Sequence, residues 1–155
     1  MTHVEHARTF PVTVEAAYAV VAPVPLEEVL GRRHLAIPGV ARVEQSGPWV
    51  QEVGQRRTLH FTDGGRTTEV LTVLDAPHRF GYELADVAGP MKLLVAAVDG
   101  LWVFVPDGSG TRITWSWEIR PTLPGRLVMP AFTRMWHGMA ARCFDRLGER
   151  MSGSS

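Results

Sequence analysis

Between residues 39 and 121 the apolar stretches are separated by turns only a few residues long. These are Asp63-Gly64-Gly65, Asp75-Ala76-Pro77-His78 and Pro106-Asp107-Gly108-Ser109-Gly110. Parallel strands need a crossover of a dozen or more residues, so strands linked this tightly form a largely antiparallel sheet. The strand candidates are GVARVEQS (39–46), GQRRTLHFT (54–62), RTTEVLTVLD (66–75), RFGYELA (79–85), LVAAVDGLWVFV (94–105) and TRITWSWEIRP (111–121). The last alternates Ile113, Trp115, Trp117 and Ile119 against Thr114, Ser116 and Glu118, the mark of a half-buried strand.

The flanks have a different period. HARTFPVTV (6–14) reads as a first strand and EAAYAVVA (15–22) as a short helix ended by Pro23. A second short helix opens at Pro25, with acids in its first turn where the helix dipole favours them. From Pro124 onward Met129, Phe132, Trp136, Ala140, Cys143, Leu147 and Met151 recur at three and four, one stripe of a long helix with Gly138 as its weak point. The predicted architecture is α+β: a curved antiparallel sheet of about six or seven strands wrapped around a long C-terminal helix, with two short helices after the first strand. Wrapping a sheet around a helix leaves a cavity wherever side chains fail to fill the gap.

Size and composition suit one domain over residues 1–151, with 152–155 as a flexible tail. Sixteen basic and sixteen acidic residues cancel, and no basic run offers a footprint for nucleic acid. No apolar segment is long enough for membrane insertion, and MTHVEHARTF has no apolar leader core, so a cytoplasmic location is expected. One cysteine and histidines without ligand spacing predict neither disulfide nor metal, and no dinucleotide or phosphate fingerprint suggests a cofactor. Whether the chain forms a homodimer is left open.

Three stretches carry a family resemblance: VGQRRTLHFTDGG (53–65), TTEVLTVLDAPHRFGYEL (67–84) and DGLWVFVPDGSGTRITWSWEIRP (99–121). In order and content they resemble the SRPBCC or START-like superfamily with its helix-grip fold, in particular the polyketide cyclase/dehydrase and lipid-transport-like branch. The resemblance implies a deep pocket between sheet and C-terminal helix. It also implies a hydrophobic, aromatic or polyketide-like small molecule as partner. Two functions follow: a cofactor-free cyclase or dehydratase, or a non-catalytic carrier or sensor of a lipid-like metabolite. A protein-interaction module is a third.

Pocket candidates are Phe80, Tyr82, Leu71, Trp102, Phe104, Trp115, Trp117, Phe132 and Trp136, bulky apolar groups on the faces assigned to the interior. Catalytic candidates are Glu69 as proton acceptor, Arg57 as oxyanion partner and His137 as a base on the helix. Parity at Asp63-Gly64-Gly65 decides whether the first two meet. A three-residue loop puts Arg57, Leu59 and Phe61 on the face of Glu69, Leu71 and Val73; a two-residue Gly64-Gly65 loop gives Glu69 to His60 and leaves Arg57 beside Thr72. A two-residue turn at Ala76-Pro77 would also place Glu69, Leu71 and Val73 on the face of Phe80, Tyr82 and Leu84. Relatives with a similar E-x-L-x-V-L-D strand send the acid inward. Asp99 is expected outward, unless a bulge at Gly100 turns it, and the apolar segment 85–96 is a candidate lid.

Overall fold

The computed structural model describes residues 1–153. Its strands are β1 (Thr2–Phe10), β2 (Val40–Glu44), β3 (Arg56–Phe61), β4 (Arg66–Asp75), β5 (Arg79–Ala88), β6 (Val95–Asp107) and β7 (Gly110–Pro121). All seven form one antiparallel sheet in the order β1-β7-β6-β5-β4-β3-β2. Helices α1 (Val14–Val21) and α2 (Leu26–Val29) separate β1 from β2, and α3 (Leu123–Gly153) closes the chain. This is the helix-grip arrangement expected from the turns and the C-terminal stripe.

Local chemistry shifts several boundaries. β1 starts at Thr2 and stops before Pro11, which has no N–H to donate to the ladder. Thr13, expected in the strand, instead caps α1 by accepting from the Ala16 amide at 3.1 Å. The second helix is a single turn. Ser152 and Gly153, expected in the tail, belong to α3, while 154 and 155 lie outside the described residues.

The stripe on α3 buries as read: Met129, Phe132, Trp136, Ala140, Cys143, Leu147 and Met151 are all buried, joined by Met139 and Phe144. Gly138 has a packing role, since a Cβ there would lie 2.4 Å from Nε2 of His34. The glycine lets the imidazole rest directly on the helix.

Register settles the parity questions. Phe61 and Gly65 close the first hairpin, so the loop is three residues long but begins one residue early, at Thr62. Arg57 therefore lies directly opposite Glu69, and His60 opposite Arg66. The next turn holds a cis Ala76-Pro77 bond; Asp75 pairs with Arg79, so the turn spans 76–78 and the two-residue case does not apply. That length alone would reverse the faces, but a register shift between Leu71 and Val73 restores them. Glu69 and Leu71 then face with Leu84 and Tyr82, while Val73 falls opposite Gly81 and Leu74 opposite Phe80. The β6–β7 ladder runs unbroken through Gly100, and the bulge lies between Val95 and Ala97. Asp99 accordingly points outward, 3.5 Å from Arg120.

Candidate functional site

A cavity of about 110 Å³ lies between the inner face of the sheet and α3. That is on the scale of the ~150 Å³ void that takes up one benzene. Phe80, Tyr82, Trp102, Trp115 and Trp117 line it from the sheet and Phe132 from the helix, with Met139, Cys143 and Leu147 beside Phe132. Leu71, Phe104 and Trp136 stand outside the lining, fully buried in the surrounding core.

The polar groups come from neighbouring strands. Residues paired across β5, β6 and β7 form the row Tyr82–Gly100–Trp117, and the next row is Phe80–Trp102–Trp115. Gly100 leaves a gap in the first row, and a Cβ there would come within 2.2 Å of the Tyr82 ring. The ring spreads across that gap, so its hydroxyl accepts N–H bonds from Trp115 at 2.9 Å and Trp117 at 2.8 Å. A phenol that accepts two bonds still has its own hydrogen to donate. Burial, reinforced by the nearby Glu69 charge, pushes the Tyr82 pKa far above its usual value. Near neutral pH it is therefore an O–H donor polarised by two indole N–H groups.

Arg57 and Glu69 form the second polar group. Nη2 of Arg57 donates to Oε1 of Glu69 at 2.9 Å, with Arg57 7% and Glu69 2% exposed. The guanidinium also lies over the Trp49 ring, 4.1 Å from its centroid, and Nη1 reaches Oε1 of Gln45 at 3.5 Å. Burial raises the Glu69 pKa above the usual carboxylate range, and the Arg57 charge pulls it back. Nε of Arg57 is buried without a partner. Thr67 also lines the cavity, but its hydroxyl donates to the Ala85 carbonyl.

The catalytic candidates thus divide. Arg57 and Glu69 meet at the cavity wall, whereas His137 is exposed on the outer side of α3. One helical residue turns about 100°, so the burial of Trp136 swings its neighbour away. Trp49 and Gln45, which hold Arg57, were not legible in the sequence: Trp49 lies in a stretch with no period, and Gln45, at the end of the 39–46 strand candidate, lies just beyond where β2 stops. Cys143 lines the cavity as a thiol, its pKa pushed up to about 12 by burial. In the segment 85–96, Val87 and Met91 line the cavity and Leu93 is exposed.

The model of a family described as polyketide cyclase/dehydrase and lipid transport matches residues 1–152. The chain belongs to that family. Membership places it in the SRPBCC superfamily, in agreement with the curved sheet and long helix. Among curated proteins none matches the chain. Solved structures that resemble it include TTHA0849 from Thermus thermophilus, with TM-score 0.72, 20% identity and coverage of 99% of both chains. Protein MLL2253 from Mesorhizobium loti has TM-score 0.71 and 13% identity, covering 99% of both chains. Major latex-like protein 151 from Panax ginseng has TM-score 0.67 and 9% identity, covering 97% of both. At these identities the likeness concerns the fold. Among the described residues no helix is long and apolar enough to cross a membrane.

Proposed function

We propose that this family member binds a hydrophobic, ring-forming, polyketide-like molecule in the cavity and closes it by cofactor-independent cyclisation and dehydration. The observation that carries this reading is that Tyr82, a doubly hydrogen-bonded O–H donor, and a buried carboxylate line one cavity whose only other charged or hydroxyl-bearing side chains, among the described residues, are Arg57 and Thr67. Such a cavity excludes water and holds a flexible chain folded, a proximity effect. The ionised Glu69 carboxylate takes a proton from the carbon beside a ketone, and the enolate oxygen rests on the Tyr82 O–H. The enolate carbon attacks a second carbonyl, forming the C–C bond, and the new alkoxide recovers the proton from Glu69. A second α-proton passes to Glu69 and the hydroxyl leaves with a proton, so one water is lost and the carboxylate is restored. Arg57 holds the carboxylate in place and limits the rise in its pKa.

The close Arg57–Glu69 contact favours a second reading. A carboxylate spent on its arginine is a weaker base, and the same cavity would then serve a carrier or sensor.

Melting in the presence of phenols, fatty acids and cyclic ketones tests binding, and a rise in Tm is expected for small ring compounds. A short linear diketone that closes to a cyclohexenone tests the chemistry. Glu69→Gln is expected to slow closure by about 100-fold or more. Turnover that survives both Glu69→Gln and Tyr82→Phe rejects the proposed roles, and binding without turnover supports the carrier.

A further inference from the structure

Beyond Val29, Leu30 and Met139, the cavity has a neighbour. These three residues line both the apolar cavity and a small cleft between α2 and α3, so the two spaces adjoin at their side chains. The cleft's remaining lining is Arg32, His34, Arg142 and Arg146, three guanidinium groups and an imidazole with no carboxylate among them.

The local charge is uncompensated. Among the described residues the Arg32 and Arg142 side chains make no hydrogen bond or ion pair, and the Arg146 side chain donates only to the backbone carbonyl of Glu28 at 3.3 Å. The Glu28 carboxylate is taken by Arg150. His34 is fixed in place: its backbone N–H and C=O both bond Ile37 at 2.9 Å, and its ring sits on Gly138. Its Nδ1 is buried without a partner.

Planar guanidinium forks bind carboxylate and phosphate oxygens in pairs, and clustered arginines without acids are relieved by such an anion. We propose that this cleft receives the anionic end, a carboxylate or phosphate, of a molecule whose apolar body occupies the adjacent cavity. The inference rests on the cavity-binding reading above and narrows the ligand class from hydrophobic molecules to amphiphiles with one oxyanion.

The test compares phenylbutyrate, the matching phenylbutanol and inorganic phosphate by calorimetric titration. It uses the full chain and an Arg32→Gln/Arg142→Gln variant. Both arginines are exposed, so the variant is expected to fold. The carboxylate should bind the unaltered chain about 10-fold more tightly than the alcohol, and the variant should lose that preference while binding the alcohol unchanged. A preference that persists in the variant overturns the inference and gives the anion to Arg57. Equal affinity for acid and alcohol overturns it while leaving the cavity reading intact. Phosphate bound through these arginines without a carboxylate preference marks a free-anion site and overturns the shared ligand. Failure of both organic probes to bind overturns the cavity reading and this inference together.

Discussion

The two walls of the cavity differ in kind. The sheet wall carries Arg57, Glu69, Thr67 and the Tyr82 hydroxyl among its aromatic rings, whereas α3 presents Phe132, Met139, Leu147 and the protonated Cys143 thiol. Adjacent strands stand about 5 Å apart, so polar side chains on neighbouring strands meet and satisfy one another. A single helix facing a sheet offers one stripe with no such neighbour, and a polar group there would be buried unpartnered. On the proposed reading, hydrogen-bond discrimination within the cavity itself belongs to the sheet and limits on size and shape to the inner stripe of α3, while the α3 arginines act only on the adjoining cleft.

The largest expected effect breaks the sheet side. Glu69→Ala strands a buried guanidinium and should cost about 3–5 kcal/mol in denaturant unfolding, while Arg57→Met/Glu69→Leu should recover most of that loss. A cost for the single substitution below about 1 kcal/mol would mean that water already reaches the pair. On the helix side, Leu147→Ala should cost about 2–3 kcal/mol, towards the low end for such truncations because its void merges with an existing cavity. It should admit larger ligands yet leave the preference for ketones over hydrocarbons unchanged, as ligand-shifted melting would read.

Tyr82→Phe sharpens the contrast. It leaves the Trp115 and Trp117 N–H groups without their acceptor and should cost about 1–3 kcal/mol. The ketone preference should vanish while size selection stays.

The smallest effect is a pH dependence. The folded Glu69 pKa lies above its ordinary value of 4.5. The native state therefore holds that proton more tightly than the unfolded chain. The resulting stabilisation is complete below 4.5 and is lost as pH rises through the folded value. Unfolding free energies of the wild type relative to Glu69→Gln should fall over that window, by no more than about 1.4 kcal/mol per pH unit. A flat difference would remove burial as the dominant influence on this carboxylate.

What could be read in advance follows from chain periodicity. Trp115, Trp117 and the α3 stripe were legible because periods of two and of three to four assign faces without knowledge of any partner. Arg57 and Glu69 were legible as charges on apolar faces, but their meeting depended on turn length. Two departures in the next hairpin, a longer turn and a bulge, offset each other in parity. Such compensation is invisible locally, because a bulge is defined only by the partner strand. Trp49 and Gln45 were missed because the segment between β2 and β3 finds its contacts only once those strands are paired. His137 shares a helix edge with the buried Ala140 and Phe144 yet is exposed, because the width of the buried face depends on what packs against it.

The antiparallel pairing, the long closing helix and the aromatic interior follow from turn length and side-chain period, which are properties of the chain alone. That Arg57 opposes Glu69, that Gly100 frees Tyr82 to reach two indole N–H groups, and that His137 faces outward came with the assembled fold. Those facts depend on distances between segments far apart in the chain, which register, bulges and packing set together.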